Sequence, residues 1–299
     1  MTGMGKDLAG AEPAAAAVFR SADDALGFEL SKLCFEGPDT ELARTEITQP
    51  AILTVAVAAF RAFTARGGGH PVAAAGHSLG EYAAHVAAGT LTFDDAVRAV
   101  RQRGRFMQEA VPQGVGAMAA ILGLERDAIE RICVEAAEGE VVSAANINSP
   151  EQIVIAGHAG AVARASAAAL AAGAARAVPL QVSAPFHCAL MKPAEERLSP
   201  VLAAIAFCDP SIPVYTNADA TPVTTAEAAR DTLVRQVASP VRWSEEVGRM
   251  VDDGIDMFVE FGPGRVLAGL MRRIRKGVRV VSVPDVAGLS AALQELEGA

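Results

Sequence analysis

Gly76-His77-Ser78-Leu79-Gly80 fits the pattern G-x-S-x-G, with an apolar stretch at Val72 to Ala75 before it and a helix-forming stretch running to Ala88 after it. A serine on such a strand-turn-helix elbow is held in a strained backbone conformation, and small neighbours are needed where side chains would collide with the adjoining strand and helix. Its hydroxyl lies at a helix N-terminus, where free N–H groups and the helix dipole favour the negative charge that develops on an acyl oxygen under attack. The chemistry expected is nucleophilic catalysis at an acyl group, with the Leu79 N–H as first oxyanion donor. The plainer alternative is a glycine-rich turn whose serine caps the helix; the strand before and the helix after favour the nucleophile.

A serine nucleophile needs a base, and the chain has five histidines. His77 adjoins Ser78 and should diverge from it, and His85 is two helical turns further on. His70 follows a glycine run, His158 ends an apolar strand, and His187 sits in SAPFHCALMKP directly after a strand-like stretch. Spacing alone ranks His187 first by a small margin, since isolated histidines more often serve as hydrogen-bonded structural groups. Arg103 is the most informative charge. On a helix phased by Val97, Val100, Gly104 and Met107 it falls beside the apolar stripe, whereas Arg98, Arg101 and Arg105 turn progressively to solvent. An inward guanidinium requires an anion, either an internal carboxylate, which spacing alone favours, or a carboxylate on a substrate held by the bidentate fork.

These residues need a scaffold. A chain of 299 residues, 51% hydrophobic and 20% charged, can bury a full core without staples, and its net charge of −9 argues against nucleic acid or anionic lipid as partner. Cys34, Cys133, Cys188 and Cys208 show no C-x-x-C pair and no histidine at ligand spacing, so reduced thiols and a cytoplasmic setting are expected, with no metal. The longest apolar run, Ala51 to Phe60, is too short to span a bilayer, and the first ten residues lack a signal-peptide core.

The run from Thr48 to Ala65 reads as a buried helix, and Thr92 with Asp95 resembles a capping box opening the Arg103 helix. From Val115 to Ser183 the order becomes strand, helix, strand, strand, helix, strand, the split βαβ arrangement of a ferredoxin-like unit. The expected fold is therefore α/β: an α/β-hydrolase-like large subdomain (residues 1–114 and 184–299) interrupted by a ferredoxin-like small subdomain (residues 115–183).

Nine ordered blocks over nearly the whole chain resemble the malonyl-CoA:acyl-carrier-protein transacylases and their relatives, the acyltransferase domains of polyketide synthases: GMGKDL (3–8), QPAI (49–52), GHSLGEY (76–82), RQRGRFMQEAVP (101–112), NINSPEQIVIAG (146–157), APFHCALMKPA (184–194), PVYTN (213–217), QVASPVRW (236–243) and EFGPGRVLAGLMRRI (260–274). The resemblance implies a ping-pong transfer of malonyl from malonyl-CoA, through an ester on Ser78, to the phosphopantetheine thiol of acyl carrier protein, with no cofactor. It implies that His187 is the base and acid and that the backbone carbonyl of Gln236 orients it. It also implies that Arg103 pairs with the free malonyl carboxylate, which reverses the preference for an internal partner. Leu79 and Phe186 match the pattern of relatives that prefer malonyl over methylmalonyl.

Family members begin with a β-strand and a G-Q-G-S-Q loop whose glutamine gives the second oxyanion N–H. This chain opens at Met1-Thr2-Gly3-Met4, so the expectation is that strand and loop are absent, that the natural start lies upstream, and that activity or stability is reduced. Arg272, Arg273, Arg275 and Lys276 stand out on an acidic chain as a docking patch for acyl carrier protein, with a solvated helix end as the plain alternative. A monomer is expected. Three further readings remain open: a polyketide-type trans-acting acyltransferase, a serine thioesterase or esterase using water, and a non-catalytic remnant that binds carrier protein.

Overall fold

Thr45–Ala65 forms one helix of 21 residues, α5, and its long apolar stretch buries Leu53, Val55, Val57, Ala58, Ala59 and Ala62 at the centre of the protein. By length and composition it is apolar enough to cross a membrane, but 72% of that apolar window is covered by the rest of the chain. The computed structural model describes residues 2–182 and 184–297; Met1, Ser183, Gly298 and Ala299, which fall at the ends of the expected subdomain ranges, lie outside them. Four helices precede α5: α1 (Lys6–Ala11), α2 (Pro13–Leu26), α3 (Leu30–Glu36) and α4 (Asp39–Leu42). Helix α2 has Pro13 in its first turn and stops at Gly27, whose φ of 73° is the left-handed cap glycine adopts without cost.

Two helices carry the site. Helix α6 (Gly80–Ala87) follows the elbow, and α7 (Phe93–Glu109) opens at Thr92, whose hydroxyl oxygen accepts the Asp95 N–H at 3.1 Å. The stripe of α7 predicted from spacing is inside: Val97, Val100, Arg103, Gly104 and Met107 are buried, while Arg98 and Arg105 are half exposed. Helix α7 lies on the start of α5 so closely that a Cβ on Gly104 would come 2.6 Å from the Thr45 carbonyl oxygen.

Residues 116–179 build a sheet of β1 (Gly116–Leu122), β2 (Val142–Ser149), β3 (Gln152–His158) and β4 (Arg176–Pro179), in the order β2-β3-β1-β4 with every pair antiparallel. Helices α8 (Arg126–Ala137) and α9 (Ala159–Ala171) cover one face. Alternation sorts the side chains: Ala119, Ile121, Ile153 and Ile155 face those helices, whereas Met118, Ala120, Val154 and Ala156 pack with Cys188 and its neighbours Phe186 and Leu190. The second face of the sheet is thus a floor for the segment that carries His187.

The rest comprises α10 (Lys192–Ala203), β5 (Val214–Tyr215), β6 (Pro222–Val223), α11 (Ala226–Arg235), α12 (Trp243–Asp252), β7 (Met257–Phe261), α13 (Val266–Ile274), β8 (Arg279–Val283) and α14 (Val286–Glu297). Strands β7 and β8 pair in parallel and β5 pairs with β6. The strand expected at Val72 to Ala75 is reduced to one parallel bridge, Ala74 to Val214, among the described residues. Pro71 has no N–H to give and Val72 is 73% exposed, so only Ala74 finds partners, on Pro213 and Tyr215.

Candidate active site

Ser78 occupies the left-handed region at φ 51°, a conformation that favours glycine and that only four described non-glycine residues adopt. The turn is tight because Gly76 and Gly80 touch backbone to backbone: a Cβ on Gly76 would sit 2.0 Å from the Gly80 carbonyl carbon. The Ser78 N–H donates to Asn217 Oδ1 at 2.6 Å, and its carbonyl accepts from Gln236 Nε2 at 2.8 Å. Two side-chain amides therefore grip the strained peptide from either side.

His187 is also left-handed, at φ 61°, and 3% exposed. Its Nδ1 lies 3.0 Å from the Gln236 carbonyl, which only accepts, so that nitrogen carries the hydrogen and Nε2 is free to accept from Ser78 Oγ at 2.7 Å. Burial first, and the charge of Arg103 second, push the imidazole down to about 3. At neutral pH it is a neutral base hydrogen-bonded to the hydroxyl it would deprotonate. Among the described residues no carboxylate completes the pair; the backbone carbonyl takes the orienting place that an aspartate holds in many serine enzymes.

Arg103 is 1% exposed and makes no ion pair with any described carboxylate. Its guanidinium donates to three uncharged oxygens: Gln49 Oε1 at 2.7 Å, Gln236 Oε1 at 3.0 Å and Ser78 Oγ at 3.2 Å. Burial lowers its pKa, opposed by Tyr82, over whose ring it lies at 5.8 Å, and by Glu81. A buried cation with only neutral partners is expensive unless an anion arrives.

Ser78, His187 and Arg103 open into one cleft of about 580 Å³, whose wall includes Gln49, Leu79, Met107 and Phe186. The Leu79 amide makes no hydrogen bond with any described residue, which leaves it open to an oxyanion beside Ser78 Oγ. The other histidines stand apart from this chemistry. His77 Nε2 bonds Asn148 Oδ1 at 2.8 Å, linking the elbow to β2, and the His158 ring accepts the Val141 N–H. His85 is buried in α6, and His70 is exposed after the glycine run. Of the basic cluster, Arg275 pairs with Asp252 at 2.8 Å, and none of Arg272, Arg273, Arg275 and Lys276 lines the cleft.

The sequence reading overlooks four polar groups that the fold places here: Gln49, which anchors Arg103, and Glu81, Asn217 and Glu246, which lie beneath the elbow. A signal existed for Gln49, a lone amide heading the apolar α5 run. Asn217 and Glu246 come from distant segments, and nothing local announces their meeting.

The profile described as the acyl transferase domain matches residues 1–293. The chain belongs to this acyl transferase family. Among its relatives, a malonyl CoA-acyl carrier protein transacylase of Escherichia coli K12 is 50% identical over 292 residues, covering 98% of this chain and 94% of that one. One of Bacillus subtilis 168 is 45% identical, covering 99% and 93%. Solved acyl transferases superpose closely. A malonyl-transacylase in complex with a type II PKS acyl-carrier protein gives a TM-score of 0.96 at 49% identity, covering 99% of this chain and 96% of that one. A malonyl CoA-acyl carrier protein transacylase of Coxiella burnetii gives 0.97 at 44%, covering 99% and 94%. The mixed α/β fold of this acyl transferase is the fold of those enzymes.

Proposed function

We propose that the protein transfers the malonyl group of malonyl-CoA to the phosphopantetheine thiol of acyl carrier protein by way of an ester on Ser78. The observation that carries this reading is the pairing of Ser78 Oγ with His187 Nε2 at 2.7 Å beside a buried guanidinium that has no anion of its own. In the first half-reaction Ser78 Oγ bonds to the thioester carbon as its proton passes to His187 Nε2. The tetrahedral oxyanion takes the Leu79 N–H, the C–S bond breaks, and the CoA sulfur leaves with the proton from His187. In the second, the carrier's thiol gives its proton to His187 and attacks the ester, and Ser78 Oγ departs with that proton.

Arg103 selects the acyl group. The malonyl carboxylate supplies the missing anion, and a monocarboxylic acyl group such as acetyl leaves the guanidinium as it was. Because Arg103 is one of the causes that hold His187 low, neutralising it also makes the imidazole a stronger base. A dicarboxylic substrate thereby improves both binding and proton abstraction. Leu79 and Phe186 narrow the cleft, which suits malonyl over methylmalonyl.

We read residues 115–183 as a ferredoxin-like small subdomain inserted into an α/β-hydrolase-like large one, a reading supported by the β2-β3-β1-β4 order. The same reading carries a cytoplasmic monomer needing no cofactor, with the carrier docking near Arg272, Arg273, Arg275 and Lys276. Incubation with malonyl-CoA, methylmalonyl-CoA and acetyl-CoA, followed by peptide mass analysis, tests the function. A malonyl adduct on Ser78 that carrier protein removes is expected; an adduct elsewhere, or hydrolysis with no transfer, overturns it. Charge reversal at Arg272 and Arg273 should slow transfer to the carrier and leave loading from malonyl-CoA intact.

A further inference from the structure

Two carboxyl groups, Glu81 and Glu246, are fully buried beneath the elbow and, among the described residues, have no basic partner in ion-pair contact at neutral pH. His85 Nε2 lies 4.0 Å from Glu81 Oε1, but burial pushes that imidazole down to about 4 and keeps it neutral. The carboxyls are joined through Asn217. Its N–H donates to Glu81 Oε2 at 2.9 Å, and its Nδ2 donates to Glu246 Oε2 and to the Gly76 carbonyl, both at 2.8 Å. Its Oδ1 accepts the Ser78 N–H. Glu81 Oε2 also accepts from Gln236 Nε2 at 2.8 Å, the nitrogen that holds the Ser78 carbonyl.

We propose that Glu81, Asn217 and Glu246 are positioning residues of the acyl transfer, a buried clamp that acts through the Ser78 peptide and the Gln236 side chain. Both side-chain atoms that hold the Ser78 backbone, Asn217 Oδ1 and Gln236 Nε2, belong to amides that are themselves held by these carboxyls. Gln236 in turn orients His187 through its carbonyl and Arg103 through Oε1, so the clamp sets all three site groups relative to one another. Burial, and then the neighbouring Glu81, hold Glu246 well above its ordinary value, which favours its protonated form. Burial raises Glu81 to about 7, against the opposing hydrogen bonds of Asn217 and Gln236 and the charge of Arg103. The charged or titratable groups around Glu81 are Tyr82 and His85 on α6, Arg103 on α7, Glu246 on α12 and Asp219 after β5. An ionised Glu81 accepts its two N–H bonds more strongly than a protonated one, so the clamp is tightest above pH 7.

This proposal rests on Ser78 being the nucleophile, and its test does not require malonyl-CoA. The rate at which a fluorophosphonate labels Ser78 in the full-length protein, followed from pH 5.5 to 9, should rise about tenfold through an inflection near 7, a range in which His187 stays neutral. Glu81→Gln should flatten that profile and hold the rate about tenfold below the high-pH plateau. Glu246→Gln should restore most of the rate that Glu246→Ala loses, because the amide keeps an oxygen for Asn217 without a charge. A flat profile in the unsubstituted protein overturns the clamp, as does a Glu81→Gln protein that keeps the inflection. The first result decides the matter even if Glu81→Gln fails to fold. If fluorophosphonate labelling follows these expectations and malonyl-CoA does not acylate Ser78, the clamp stands and the assigned reaction falls.

Discussion

Arg103 Nη2 donates to Ser78 Oγ across 3.2 Å while sharing the same nitrogen with Gln236 Oε1 at 3.0 Å. The cation therefore rests on the nucleophile itself, and a substrate carboxylate would compete with Ser78 for it. Arg103→Ala should lower malonyl loading about 10- to 100-fold, the worth of a hydrogen bond to a charged group. Loading from acetyl-CoA should fall less or rise, so that the preference for malonyl collapses. Intact-protein mass after timed incubation with each thioester measures both rates; an unchanged ratio between them would show that Arg103 does not choose the acyl group.

His187 and Gln236 should separate by chemistry. His187→Ala removes the base, so loading should drop by about 100- to 10,000-fold. Gln236→Ala keeps the backbone carbonyl that orients His187 but removes the side chain that holds the Ser78 carbonyl and Arg103. Its loss should be smaller than that of His187→Ala, about 10- to 100-fold, with a raised KM for malonyl-CoA because Arg103 is no longer steered. Single-turnover loading kinetics at several malonyl-CoA concentrations distinguish the two patterns.

The elbow is legible in the sequence because its glycines, serine and helix lie within five residues and each follows from local sterics. The inward turn of Arg103 is legible because helical period converts spacing into direction. The alternating strands of residues 116–179 are legible for the same reason. What spacing does not supply is the company those residues keep. His187 lies 109 positions from Ser78, and Gln236 lies 158; spacing ranks His187 first by only a small margin, and Gln236 is singled out by family resemblance alone. Arg103 shows how residue-level reasoning stops short: an internal carboxylate is the ordinary partner for an inward guanidinium, and here the partners are the neutral oxygens of Gln49, Gln236 and Ser78. The strand expected at Val72 to Ala75 reduces to one bridge because an apolar run states a preference and pairing needs neighbours.

Stability should depend on pH through Glu246. A buried carboxyl held above its ordinary value of 4.5 keeps a proton that the unfolded chain releases. Its contribution is full below pH 4.5 and is lost as pH rises through the folded-state value. Glu246→Gln, neutral throughout, should therefore be more stable than the unsubstituted protein at pH 8 to 9, and the difference should vanish toward pH 4.5. Urea titrations at pH 5 and pH 9 test the sign; a gain that is larger at pH 5 would contradict a proton on Glu246.

Gly104 sits between the packing of α7 and the aim of Arg103. A Cβ there meets three backbone atoms of α5, Thr45 O at 2.6 Å, Glu46 Cα at 2.9 Å and Thr45 C at 2.9 Å, and backbone cannot swing aside as a side-chain tip can. Gly104→Ala must push α7 away from the start of α5, at a cost of about 1 to 3 kcal/mol. Because Arg103 is the adjoining residue and Gln49, its anchor, lies one turn along α5, the same displacement lengthens the bond that holds the guanidinium. Malonyl loading should fall about 10- to 100-fold with acetyl loading affected much less, since a shift of about 1 Å in a positioning group is enough for such a loss. Gly269→Ala in α13, where an added Cβ meets nothing within 4 Å, is the control and should gain about 1 kcal/mol from helix propensity with unchanged kinetics. Denaturation midpoints and loading rates for the two variants decide the point: if Gly104→Ala destabilises the fold but loads malonyl as fast as before, α7 packing and the aim of Arg103 are independent.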